Sequence, residues 1–154
     1  DLNPLDPAEP DVRAWLRALI WPGPRAEERL RRLDAAAEVA SAEPPRMLAG
    51  DLVDRLSDAL DMVPDGCTAV VFHTAVLPYV SDAARAAFVA RMRDLPVRWV
   101  AQEAPGLVPG TEGLQADSQR AELVVSLDGR PLARSAPHGG WLEWLPGGPG
   151  TSRR

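Results

Sequence analysis

The sequence contains a single cysteine, Cys67, among its 154 residues. One thiol cannot form a disulfide within the chain, and it provides none of the cysteine spacings that are typical of metal sites. No signal peptide opens the chain. We therefore predict a cytoplasmic protein that has no metal site.

Long apolar runs and an excess of positive charge are also missing. No apolar run approaches the roughly 20 residues that a membrane-spanning helix needs. The formal net charge is −5 and the arginines are dispersed along the chain, which argues against nucleic acid as a partner because phosphate binding needs clustered cations.

The length predicts one domain, which we place at residues 1–145, followed by a flexible tail at 146–154. Because the chain does not begin with methionine, we expect it to be a piece of a longer polypeptide.

The most informative stretch is a short apolar run at residues 68–73. It contains Val70, Val71 and Phe72, which are strong strand formers, and it follows turn residues at 64–66. A run that is apolar on both faces is typical of a parallel strand covered by helices on both sides. We predict that this strand lies at the centre of a sheet.

Alternating helices and strands surround this run. Apolar spacing predicts helices at 11–20, 25–43, 52–63 and 81–93, and strands at 46–49 and 97–101. Residues 123–127 and 130–136, joined by Asp128-Gly129, predict a hairpin, and a last strand is predicted at 141–145. This order predicts an α/β fold whose mixed sheet has parallel strands with helices and C-terminal antiparallel strands.

Polar residues follow the predicted parallel strands. Asp51, His73 and Glu103 come after successive strands, and the carboxyl ends of such strands lie at one edge of the sheet. We therefore predict that these three side chains surround a shared hollow that takes a small-molecule substrate. The alternatives are that Asp51 caps a helix, that His73 is a hydrogen-bonded structural histidine, and that Glu103 is a solvated loop charge.

Several segments together resemble an uncharacterised bacterial family, the domain of unknown function DUF2332. They are DLNPLD, PPRMLAGDL, AVVFHTAVLPYVS, RWVAQEAPG and LDGRPLARSAPHGGWLEWL. Sequences of this family resemble S-adenosylmethionine-dependent methyltransferases of the Rossmann-like class, and this chain resembles their C-terminal half. The glycine-rich turn of that fold, with the N-terminal strands around it, has no counterpart here.

The resemblance implies a role for each matching residue. Six residues are implied to bind the cofactor S-adenosylmethionine. Asp1 contacts the ribose, Gly50, Asp51 and Leu52 contact the adenine, and Phe72 and Thr74 lie beside the methionine moiety. His73 stands next to the methyl acceptor and is the candidate catalytic residue, either as a base for a hydroxyl or amine acceptor or as a group that orients it.

Two functions follow from these expectations. The first is the C-terminal part of a methyltransferase-like enzyme, which is inactive as an isolated chain. The second is a non-catalytic Rossmann-like module for protein association or for binding a nucleotide-like ligand. Because the missing strands leave open sheet edges, we also expect pairing with the missing N-terminal half or with a second copy.

Overall fold

The computed structural model describes residues 2–114 and 121–147. The chain divides into two compact units, Asp1–Ala59 and Leu60–Arg154. The single domain at residues 1–145 stays a prediction, and residues 148–154 of the predicted tail lie outside the described residues, as does Asp1.

Two helices build the first unit, α1 (Pro10–Ala18) and α2 (Ala26–Ala42). Pro10 occupies the first turn of α1, where its missing N–H costs no hydrogen bond. An ion pair between Arg17 and Asp34 joins the two helices. The hydrogen bond to Asp34 and its negative charge raise the pKa of Arg17 above its usual value. A short helix, α3 (Leu56–Leu60), spans the boundary between the two units in the sequence.

The strand predicted at residues 46–49 is wrong. These residues have no regular structure, since a strand needs a partner and the described residues pair none with them. The helix predicted at 52–63 is reduced to α3, because turns occupy residues 52–55.

A five-stranded sheet forms the second unit. Its strands are β1 (Val70–Thr74), β2 (Arg98–Glu103), β3 (Leu123–Leu127), β4 (Arg130–Ser135) and β5 (Leu142–Trp144), in the spatial order β1-β2-β3-β4-β5. The β1–β2 pair is parallel and the other pairs are antiparallel. The predicted mixed α/β fold with antiparallel C-terminal strands is confirmed. The predicted Rossmann-like topology of the sheet stays a prediction.

The connection between the parallel strands is α4 (Asp82–Asp94). Ser81 caps its N-terminus by accepting a hydrogen bond from the Ala84 N–H at 3.3 Å. Phe88 and Met92 of this helix are buried, and the Phe88 ring meets His73 and Trp99 edge to face, at centroid distances of 5.5 and 5.9 Å. Helix α4 thus covers the face of the sheet that carries His73 and Trp99.

The prediction that the apolar strand at 68–73 is central and covered on both faces is wrong. Among the described residues, strand β1 lies at the edge of the sheet and pairs only with β2. The exposed fractions of Val70 and Phe72 are 55% and 75%. Side chains alternate along a strand, so these two residues lie on the face opposite to His73, which packs on α4.

Within the described part of the chain, no helix combines the length and the apolar character needed to cross a membrane.

Candidate functional site

The strand register brings His73 and Glu103 together. His73 lies beside Ala101 in the parallel β1–β2 pair, and Glu103 is two residues further along β2 on the same face. The His73 Nδ1 and Glu103 Oε1 atoms are 2.7 Å apart. Two of the three residues predicted to surround a hollow therefore contact each other at the carboxyl end of β1 and β2.

Trp99 provides the second partner of the imidazole. Its indole N–H donates to His73 Nε2 at 2.9 Å, and because the indole is only a donor, Nε2 must carry a lone pair. The partners thus assign the ring proton to Nδ1, which donates to Glu103. Both ring nitrogens of His73 are engaged within the protein, an arrangement that favours the structural alternative over a free general base.

Glu103 is almost completely buried, with an exposed fraction of 1%. Besides His73, its Oε1 accepts hydrogen bonds from the backbone N–H groups of Val76 at 2.9 Å and Leu77 at 3.2 Å. Its Oε2 is buried and has no partner among the described residues. The alternative of a solvated loop charge is wrong, because β2 extends through Glu103 and its alternation places this side chain on the buried face with Trp99 and Ala101.

The carboxylate fixes the turn that follows β1. Ala75 has a positive φ of 51°, and its N–H donates to the Gln102 carbonyl at 2.9 Å. The two N–H groups held by Glu103 come next, and Leu77 is buried under the turn. The His73–Glu103–Trp99 cluster, as we call these three side chains, therefore connects the carboxyl end of β1 and its following turn to β2.

Gly50, Asp51 and Leu52 belong to the first unit, where Gly50 and Asp51 make local contacts. Gly50 has a φ of +138°, and a Cβ at this position would lie 2.8 Å from Nε of Arg55. That nitrogen donates to the Ala49 carbonyl at 2.9 Å. Asp51 Oδ1 accepts from the Val53 N–H at 2.8 Å, a local bond of the kind expected from a capping role. The hollow shared by Asp51, His73 and Glu103 stays a prediction.

Comparison with known proteins identifies the family. A family model described as "Uncharacterized protein conserved in bacteria (DUF2332)" matches residues 1–144. The chain belongs to this family. No curated protein and no solved structure matches it. The predicted resemblance to DUF2332 is confirmed, whereas the link to methyltransferases is not.

The cofactor contacts implied by that link find little support in this DUF2332 chain. The Arg55 side chain covers Gly50, and the lone pair of His73 Nε2 is taken by Trp99. Phe72 and Thr74 are exposed on the side of β1 away from the cluster. The assignments of these residues, and that of Asp1 outside the described residues, stay predictions. No group of three or more His, Cys, Asp or Glu side chains in the described ranges is placed to hold a metal ion.

A groove of about 460 Å³ lies in the second unit and is lined by none of the predicted site residues. Its walls include Arg93 at the end of α4, Trp99, and the turn at Asp128-Gly129. The Asp128 carboxylate accepts a hydrogen bond from the backbone N–H of Trp99 at 2.8 Å and forms an ion pair with Arg98 at 2.8 Å. Asp128 thus ties the β3–β4 turn to β2, in addition to the turn role that its Asp-Gly sequence predicts.

Proposed function

We propose that this DUF2332 chain is a non-catalytic α/β module for protein association, which binds an extended segment along the open edge of β1. The observation that carries the proposal is the position of β1, which pairs with β2 alone in the described part of the chain and exposes 75% of Phe72. An unpaired strand edge is a template for a further strand.

The backbone directions along β1 identify the groups that receive the segment. Ala75 donates its N–H to Gln102, and Arg98 donates its N–H to the Ala69 carbonyl. Odd-numbered residues of β1 therefore direct their backbone groups toward β2 in the parallel pair. The N–H and C=O groups of Val70, Phe72 and Thr74 consequently point toward the open edge.

Strand β1 lacks several of the features that usually prevent strand addition. Protected edges contain lysine, proline, inward-pointing charges or a bulge. Strand β1 has no charged residue and no proline, and its pairing with β2 is regular. The His73–Glu103–Trp99 cluster supports the proposal, because its hydrogen bonds fix the conformation of the carboxyl end of β1, and a preformed strand loses less conformational entropy when a segment binds.

A labelled peptide of the β1 sequence, residues 68–75, tests the proposal. We expect its fluorescence anisotropy to rise when the protein is added. A peptide with proline in place of the residue corresponding to Phe72 serves as the control, since it cannot donate at that position. Backbone amide exchange of Val70, Phe72 and Thr74 should slow when the first peptide binds. Absence of both effects at millimolar peptide would refute the proposal.

Methyl transfer with S-adenosylmethionine is the second candidate, and it rests on the family resemblance. The observation in its favour is the mixed sheet, in which a parallel pair is followed by antiparallel strands. In such a reaction the sulfonium is the leaving group and the protein positions the acceptor. Titration calorimetry with S-adenosylmethionine on this chain and on a longer polypeptide containing it tests the idea, and no heat from either would end it.

A further inference from the structure

We infer that the segment bound at the β1 edge is β1 of a second copy of this chain, paired antiparallel about a two-fold axis at Phe72. The inference rests on the proposed function and specifies its partner. The two five-stranded sheets then join into one continuous sheet, and the interface is the same patch on both copies.

Hydrogen-bond geometry selects this register. Directly opposed residues in an antiparallel pair either exchange both N–H···O bonds or neither. We call Val70, Phe72 and Thr74 edge-directed residues, because their backbone N–H and C=O groups point toward the open edge. For the two strands to bond, an edge-directed residue of one copy must therefore face an edge-directed residue of the other. With the axis at Phe72, Phe72 faces its own counterpart and Val70 faces Thr74 of the second copy. All three edge-directed residues of each β1 are then paired, whereas a shift by two residues leaves one of them unpaired.

Charge makes a second copy an acceptable partner. Residues 66–81 contain no Asp, Glu, Lys or Arg, although charged residues make up 25% of the chain. Self-pairing therefore opposes no like charges across the two strands, which is the usual penalty for identical edges. Repulsion between two chains of net charge −5 acts over longer distances, where salt screens it.

The side chains add apolar contact to the backbone bonds. The two Phe72 rings lie next to each other across the axis, on the exposed face of each sheet. One strand pair buries less than the roughly 1,200 Å² of a standard stable interface. We therefore expect a weak dimer that forms as the protein concentration rises, and that tightens with added salt. A partner bound through basic residues would instead be released by salt.

Disulfide trapping tests the register. In a Cys67→Ser background, which removes the exposed native thiol, Phe72→Cys puts two thiols at the axis. The opposed Cα atoms of a hydrogen-bonded pair are about 5.5 Å apart, a spacing that a disulfide accepts. Val70→Cys is the matched control on the same face, because it lies four residues from its own counterpart, roughly 13 Å away. We expect roughly tenfold more trapped dimer from Phe72→Cys than from Val70→Cys.

Two further variants separate the register from loss of the Phe72 ring. The double variant Val70→Cys, Thr74→Cys keeps Phe72 and should form the disulfide between positions 70 and 74 of different copies. Thr74→Pro removes an edge-directed N–H that β2 does not use, so it should keep the circular dichroism of the parent chain and sediment as a monomer.

Each result decides between the proposals. Equal trapping by Phe72→Cys and Val70→Cys, or a parent chain that sediments as a monomer at millimolar concentration, overturns the two-fold dimer. If the dimer is overturned but the residue 68–75 peptide still binds, the association function stands and the bound segment comes from elsewhere. If the peptide also fails to bind, both proposals fall.

Discussion

Replacing Glu103 tests whether its buried carboxylate stabilises the fold. Oε1 of Glu103 accepts from His73 Nδ1 and from the N–H groups of Val76 and Leu77. Glu103→Leu removes all three acceptor contacts while it keeps a side chain of similar length. Glu103→Gln keeps one acceptor oxygen in the same place and removes the charge. The two variants therefore separate the loss of hydrogen bonds from the loss of charge.

The expected magnitudes follow from the burial of the donors. Leu77 is buried and the His73 side chain is only 10% exposed, whereas Val76 reaches solvent. Two buried donors without acceptors cost about 1–3 kcal/mol each, so Glu103→Leu should lower the free energy of unfolding by about 2–6 kcal/mol. Glu103→Gln weakens charge-assisted bonds to neutral ones and should lower it by about 1–2 kcal/mol.

Urea denaturation followed by far-ultraviolet circular dichroism measures these changes. The matched control is Glu143→Gln, which removes a carboxylate from an exposed position of the same sheet and should change the free energy of unfolding by less than about 0.5 kcal/mol. If Glu103→Gln is as stable as the parent or more so, burial of the charge costs more than its hydrogen bonds return. That result would refute the stabilising role of the carboxylate.

Three other expectations concern single contacts. Trp99→Phe removes the donor to His73 Nε2 and part of a buried ring, so it should lower the free energy of unfolding by about 1–2 kcal/mol for the hydrogen bond and further for the cavity. In the parent chain, long-range ¹H–¹⁵N spectra should show the proton on Nδ1, and a proton on Nε2 would contradict the assigned network. Gly110→Ala places a Cβ 2.2 Å from the Gly129 carbonyl oxygen at a φ of +90° and should lower the melting temperature, whereas Gly113→Ala, with open space around it, should not; equal melting temperatures for the two variants would count against the close approach. The hydrogen bond from Arg25, and then its positive charge, lower the pKa of Glu28. The stabilisation from this exposed pair is therefore present at pH values above the usual carboxyl pKa and is lost as the pH falls through the lowered pKa of Glu28. An NMR titration should show a higher pKa of Glu28 in Arg25→Gln, and an unchanged pKa would contradict the pairing.

Local sequence patterns were sufficient for most of the second unit. The Asp128-Gly129 turn specifies the β3–β4 hairpin, and Ser81 specifies the start of α4, because both signals act between residues close in the chain. The parallel pairing of β1 with β2 follows from the helix between them. Short patterns without a partner were less reliable, as residues 46–49 show by forming no strand.

The amino-acid order by itself determined the family and the mixed α/β class, and it placed His73 and Glu103 after neighbouring parallel strands, since these features depend on motifs and strand order. Only the tertiary structure decided that Trp99 occupies the second nitrogen of His73 and that Glu103 is buried. It alone also decided that β1 is an edge. An apolar run is compatible with either a central or an edge strand, and the choice depends on which distant segments pair with it.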